Sequence, residues 1–274
     1  MSPREAVAQP THSASPAAAT PRGNRNRAPG HGPVVLAIYN AIYWPYLFTT
    51  CALLFVPALL IYLCSFWDRR QRALSWYTSA WGAHYLSWAP LAGTTVEGRE
   101  HVPAGRPCVY VSNHQSMVDI LAVYGTRLPF KWVSKIENFY APFLGWNMLL
   151  NRYVPLKRGH LPSIMRMVRA CNARLREGNS LFVFPEGTRS PDGELKSFHR
   201  GAFAIATRNR VPLVPMVIEG TGDILPKGTF CIRPRPVLVR ILPPLDPAEF
   251  GFDARRLQAA VHARMLEAQL QIRA

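Results

Sequence analysis

The stretch VSNHQSMVDI, residues 111–120, sets the reading of this chain. A β-rich run over 109–112 ends in Asn113-His114, and a helix is predicted to begin within the next few residues. A strand that turns directly into a helix is the unit of an open α/β sheet, and its corner is where such sheets present ligand sites. Asp119 follows His114 by five positions. Along one straight helix that is about 500° of rotation, some 140° off a shared face, so the pair cannot meet that way. They meet if His114 stands in the entering loop and Asp119 in the first turns of the helix. The carboxylate then holds one ring nitrogen and leaves the other to act as a general base. The competing reading of the spacing alone is a helix-capping loop whose His is merely solvated or packed.

Outward from that corner, β-like runs at 130–134, 180–184, 211–218 and 237–242 alternate with helical patterns. Residues 163–177 place Ile164, Met167, Val168, Cys171 and Leu175 at helical spacing, with Ser163 expected as cap and Gly178 as stop. Residues 253–272 read as a closing amphipathic helix, with Leu257, Val261 and Met265 four apart. This alternation predicts one α/β domain over 93–274, a single open mixed sheet flanked by helices.

Two further segments carry chemistry. FPEGTRS, residues 184–190, follows the β-like SLFVF and puts a carboxylate, a flexible backbone and a guanidinium at a sheet edge. Such a loop can grip phosphate through Arg189 and backbone N–H groups, or be simply a charged turn. LNRYVPLKRG, residues 150–159, opens a run with seven cations and no acid: Arg152, Lys157, Arg158, Arg166, Arg169, Arg174 and Arg176. Part of that run is the solvated face of the 163–177 helix. Lys157 and Arg158 differ, because they follow a β-like run and precede Gly159 in a loop position.

Residues 33–67 contain no charged side chain. The most apolar part, 47–67, spans about 31 Å as a helix and matches a hydrocarbon core of about 30 Å. It is read as a membrane-embedded helix or, preferably, the full uncharged stretch 33–67, with Pro45 inside, is read as a helical hairpin with both ends cytoplasmic. Arginines flank it on both sides, so the positive-inside bias gives no orientation. Residues 73–92 carry Trp76, Trp81 and Trp88, which suits either a headgroup-level helix or packing on the next domain. Residues 1–32 read as a disordered basic tail, with a composition that also resembles an organelle transit peptide. The domain expectation is therefore tail 1–32, anchor and interfacial helix 33–92, and catalytic domain 93–274.

Composition narrows the function classes. Of 274 residues, 49% are hydrophobic and 18% charged, which excludes a wholly disordered chain. The formal net charge of +16 calls for an anionic partner: nucleic acid, an anionic membrane surface or a phosphorylated substrate. No RNP-like, zinc-finger or KH-type signature supports nucleic acid, and an apolar anchor argues against it. The five cysteines form no CxxC pair, which argues against a disulfide scaffold or zinc ribbon and for a reducing compartment.

In order, Asn113, His114 and Asp119, a basic segment ending in Arg158, FPEGTRS, and VPLVPMVIEGTG at 211–222 resemble the glycerolipid acyltransferases of the PlsC type. Within that family the pattern is similar to the 1-acylglycerol-3-phosphate acyltransferases, and it covers residues 93–225. The resemblance implies transfer of a fatty acyl group from acyl-CoA or acyl-carrier protein to the free sn-2 hydroxyl of the lysophospholipid 1-acylglycerol 3-phosphate at the bilayer, giving phosphatidic acid, with no metal or cofactor. The alternatives are another lysolipid or glycerol 3-phosphate as acceptor, or a non-enzymatic basic membrane-surface binder. The expected location is the inner or plasma membrane, with the catalytic domain on the cytoplasmic side. It implies His114 as base, Asp119 as its partner, and Glu186, Gly187, Thr188, Arg189 and Arg158 around the acceptor phosphate. The 211–220 motif would line the acyl-donor side. Oxyanion donors are expected from backbone N–H groups near the 114–117 turn. Ser116 lacks the G-x-S-x-G elbow of a nucleophile. One departure stands out: Arg152 and Lys157 occupy places where the family commonly has Gly and an acid.

Overall fold

The apolar N-terminal run forms one helix, α1, Pro33–Cys64, about 48 Å long at about 1.5 Å per residue. The expected hairpin does not form, because the helix runs through both Pro45 and Pro57. Each proline removes one ladder bond, yet neither is flanked by Gly, Asn or Asp that could turn the chain, so the apolar helix continues. The computed structural model describes residues 32–87 and 93–274. The basic tail up to residue 31, and Trp88 with the end of the aromatic segment, lie outside the described residues. Among those residues α1 is the one helix long and apolar enough to cross a membrane.

The outer stripe of α1, including Val34, Ile38, Phe48, Leu53 and Leu60, is exposed. Its inner side meets α2, Arg72–Ser87, where Leu74, Trp81 and Tyr85 are buried and Trp76 faces out. Among the described aromatics of that segment, Trp81 and Tyr85 therefore serve packing. The polar Asn40 of α1 exchanges two bonds with the backbone of Ile232, and Trp44 Nε1 donates to the Phe230 carbonyl. These contacts tie the first half of α1 to the loop that follows residue 225.

The sheet has seven strands: β1 Thr94–Glu97, β2 Val109–Ser112, β3 Lys131–Lys135, β4 Val154–Leu156, β5 Leu181–Val183, β6 Leu213–Glu219 and β7 Val237–Ile241. Their order is β1-β7-β6-β2-β5-β3-β4, and every neighbouring pair is parallel except β6–β7. The mixed open sheet is as expected. β1 and β4 lie at the edges and are only four and three residues long, too short for alternation to announce a strand by itself. Helices α3 Val118–Gly125, α4 Leu144–Leu150, α5 Leu161–Arg176, α6 Gly201–Asn209, α7 Thr221–Ile224 and α8 Ala254–Arg273 complete the fold.

Because the central strands are covered on both faces, they are apolar throughout. Tyr110, Phe182, Met216 and Ile218 point to the side carrying α3 and Tyr43 of α1. Val109, Val111, Leu181, Leu213 and Val217 point to α5, α6 and α8. The cap of α5 differs from expectation. His160 accepts from the backbone N–H of Ser163, and Pro162 sits in the first turn, so the helix starts earlier. Gly178, at φ +79°, follows its end as expected.

One buried cation stands apart from these cores. Lys131 is 2% exposed and its Nζ donates to Ser75 Oγ at 2.9 Å. Ser75 continues into a network of Thr78, Asn147 and Asn151. Burial, reinforced by the nearby Arg174 and Arg152, pushes the Lys131 ammonium pKa down to about 7.

Candidate active site

β2 ends at Ser112 in the middle of the sheet, and Asn113 stitches that end to β6. Its Nδ2 donates to the Ile218 carbonyl at 2.9 Å and its Oδ1 accepts from the Ile218 N–H at 2.8 Å. His114 then stands in the loop and Asp119 in the first turn of α3. The two side chains meet, with His114 Nδ1 and Asp119 Oδ2 2.7 Å apart. Asp119 is fully buried. Its Oδ2 also accepts from the N–H groups of Gln115 (2.7 Å) and Ser116 (2.9 Å), and its Oδ1 accepts from the Thr221 hydroxyl.

This geometry selects the tautomer. An acceptor at Nδ1 requires the proton there, which leaves the Nε2 lone pair available. Nε2 has no hydrogen-bond partner among the described residues. The imidazole lies flat on Phe184, centroids 4.1 Å apart and planes within 13°, so the ring is held in one orientation. Ser116, by contrast, is fully buried and its hydroxyl donates to the Leu225 carbonyl.

Three of the four expected oxyanion donors, the N–H groups of residues 114–116, are already engaged. The N–H of His114 donates to Glu186 Oε1 at 3.0 Å, and those of Gln115 and Ser116 are taken by Asp119. For Gln115 and Ser116 the reason is local: a carboxylate in the first turn of a helix captures the orphan N–H groups ahead of it.

The FPEGTRS loop divides its residues between inside and outside. Glu186 is buried with Oε1 on the His114 backbone and Oε2 without a partner, and burial pushes its pKa up to about 7. Its carboxylate thus turns inward, onto the backbone of the His114 turn. Gly187 has φ +69°, and a Cβ there would lie 2.7 Å from the His199 ring. Thr188 is exposed. Arg189 lines a cavity of about 450 Å3, and its guanidinium is unpaired among the described residues.

That cavity is largely apolar. It runs between α1 (Tyr43, Leu47), α2 (Trp81) and α3 (Val118, Leu121), and Leu225 and Phe230 of the following loop close it. The 211–220 motif does not line it. β6 is core on both faces, and only its end reaches the site, through Ile218, Glu219 and the adjoining Thr221. Thr221 and Glu219 lie within the 211–222 motif, but their roles are not readable there, because Asp119 and Gln115 lie about a hundred residues away.

Arg158 is exposed in the turn after β4. β4 is three strands from β2, about 14 Å across the sheet, with its carboxyl end on the same edge. Arg158 therefore does not touch His114, although it opens onto the same rim. Arg152 explains the family's glycine at its position: its φ is +57°, a conformation that costs a side-chain-bearing residue. The guanidinium is held away from the site by the Arg69 carbonyl (2.7 Å) and by Glu177 (3.2 Å).

In sequence and fold this chain is similar to known acyltransferases. A family model described as Acyltransferase matches residues 93–219. A 1-acyl-sn-glycerol-3-phosphate acyltransferase of Chlamydomonas reinhardtii is 34% identical over 251 residues, covering 89% of this chain and 75% of that protein. The chloroplastic enzyme of that name from Brassica napus is 43% identical over 145 residues, 53% of this chain and 42% of the relative. The crystal structure of the 1-acyl-sn-glycerophosphate acyltransferase PlsC from Thermotoga maritima superposes with a TM-score of 0.76 at 28% identity, covering 87% of this chain and 98% of that one.

Proposed function

Because the chain belongs to the acyltransferase family, we propose that it moves a fatty acyl group from a thioester to the free sn-2 hydroxyl of 1-acylglycerol 3-phosphate, giving phosphatidic acid. The observation that carries this reading is the His114–Asp119 pair, with Nδ1 engaged at 2.7 Å and Nε2 unpartnered. Nε2 takes the hydroxyl proton as the acceptor oxygen attacks the thioester carbonyl. The C–S bond then breaks, and the thiolate leaves with the proton returned from the imidazolium. An alcohol is a poor nucleophile at neutral pH, and a well-placed His adds typically about 10²–10⁴-fold. Asp119 holds the imidazolium that forms, and Phe184 keeps the ring in line with its target.

The unpaired Arg189 guanidinium is the leading candidate for the acceptor phosphate, with Arg158 reaching from the same rim. The cavity beside Arg189 takes an acyl chain, since its walls are apolar and two of them belong to α1 and α2. Residues 33–92 anchor the enzyme in a membrane and 93–274 carry the chemistry on its cytoplasmic side. The donor is acyl-CoA or acyl-carrier protein, which the basic surface attracts in either case.

The test uses the full chain in vesicles with one labelled acyl-CoA and a panel of acceptors: lysophosphatidate, lysophosphatidylethanolamine and glycerol 3-phosphate. Lysophosphatidate is expected to give the highest kcat/KM, with the label at sn-2. Equal or better turnover of glycerol 3-phosphate would overturn the acceptor assignment. Repeating the measurement with acyl-carrier protein identifies the donor.

A further inference from the structure

The last turn of α8 grips the catalytic loops from behind. Arg273 donates from Nη1 to Glu194 Oε1 at 2.9 Å, and from Nη2 to the Gly193 carbonyl at 2.6 Å and Glu219 Oε1 at 3.0 Å. Gln269, one turn earlier and buried, donates from Nε2 to the same Gly193 carbonyl (3.0 Å) and the same Glu219 oxygen (2.6 Å). That oxygen also receives Gln115 Nε2 at 3.2 Å, from the turn between His114 and Asp119.

The Gly193–Glu194 segment is the tail of the loop carrying Arg189. Ser190 fastens it at both ends: its N–H donates to the His114 carbonyl at 2.7 Å and its hydroxyl to the Glu194 carbonyl at 2.8 Å. The His114 turn and the end of β6 thus meet at one carboxylate, Glu219, to which α8 supplies two of the three donors, and the same two α8 side chains hold the tail of the Arg189 loop. The bonds to Glu219 are charge-assisted and mostly shielded from water, which makes them the strong ones, whereas Glu194 is exposed. The helix does not need them to fold on the domain, because Leu257, Val261, Met265 and Ala268 already bury its inner face.

We propose that Arg273 and Gln269 are positioning residues for acyl transfer: they fix the Arg189 loop against the His114 turn and so set the affinity for the phosphorylated acceptor. This rests on the roles given above to His114 and Arg189. Neither residue touches substrate. Their effect passes through Gly193 and Glu219.

The full chain in lipid nanodiscs is compared with its Arg273→Ala and Arg273→Lys variants by two readouts. In hydrogen exchange, Arg273→Ala is expected to speed exchange about tenfold in peptides covering 187–196 and 113–119, leaving β2, β5 and α5 unchanged. In kinetics, the KM for lysophosphatidate should rise about tenfold with kcat within about threefold of the parent. Arg273→Lys, which keeps a donor and charge opposite Glu219, should restore most of both. Unchanged exchange in the two peptides, a loss confined to kcat, or faster exchange spread over the whole domain would each overturn the proposal. If the parent protein fails to acylate lysophosphatidate at all, the substrate assignment falls, while the exchange readout still decides the clasp.

Discussion

Replacing Asp119 with Asn removes a charge and little else. The amide keeps one oxygen for the N–H groups of Gln115 and Ser116, and its NH2 can donate to the Thr221 hydroxyl, which is able to reverse its own proton. What disappears is the attraction between a buried carboxylate and the imidazolium that forms on His114 during proton transfer. The contact is 2.7 Å between Nδ1 and Oδ2, which sets the charge centres about 4 Å apart; at an effective dielectric of about 20 that attraction is about 4 kcal/mol. Converted to rate, this is about a thousandfold loss of kcat, with both KM values within about threefold. The assay is steady-state transfer of labelled acyl groups to lysophosphatidate in vesicles, with thermal unfolding as the check on folding. A double-mutant cycle makes the argument sharper: in a His114→Ala background the same change should cost less than about tenfold, since no imidazolium remains to stabilise. A kcat within tenfold of wild type in a folded Asp119→Asn protein, or an equal loss with and without His114, would refute the reasoning.

Other expectations follow from the buried groups. The Lys131 ammonium has its pKa pushed down to about 7 against 10.5 when exposed, so the unfolded chain binds that proton more tightly. Stability contributed at this site therefore rises as pH climbs from about 7 towards 10.5, by at most about 5 kcal/mol. Lys131→Met should abolish that rise and leave the protein more stable than wild type at pH 7; thermal unfolding between pH 6.5 and 9.5 checks it, and a less stable variant at pH 7 would contradict the burial penalty. Gly187→Ala forces a Cβ to 2.7 Å from His199 at φ +69°, a cost of about 1–2 kcal/mol confined to the FPEGTRS loop. Its expected signature is a raised acceptor KM with a small shift in melting temperature, and unchanged kinetics would show that the loop adapts.

What the residues disclose before folding is mostly local. The five-residue interval between His114 and Asp119 works only across a loop–helix corner, and the corner exists because a β run stops at Ser112 and a helix starts at Val118. The apolar periodicity of 253–272 likewise predicts α8, capped by Asp253. Long-range pairings are invisible. Nothing near Thr221 or Glu219 announces that β6 lies beside β2, which is what delivers one to Asp119 and the other to Gln115. Glu186 suits a phosphate site in the sequence because a loop carboxylate is ordinarily solvated; only the packed structure turns it inward to the His114 N–H. The hairpin expected within 33–67 fails for a different reason, since a proline breaks a helix into a turn only where its neighbours can take one. Arg152 runs the other way: a departure from the family pattern becomes intelligible through its positive φ and its bond to Glu177.

The account depends on His114 Nε2 taking a proton from the acceptor hydroxyl. Its most direct test is the single-turnover rate of acyl transfer by His114→Ala in vesicles, with lysophosphatidate binding measured on the same sample. The prediction is a rate lower by at least about a hundredfold with acceptor binding within about threefold of wild type. A single-turnover rate within tenfold of wild type would contradict it.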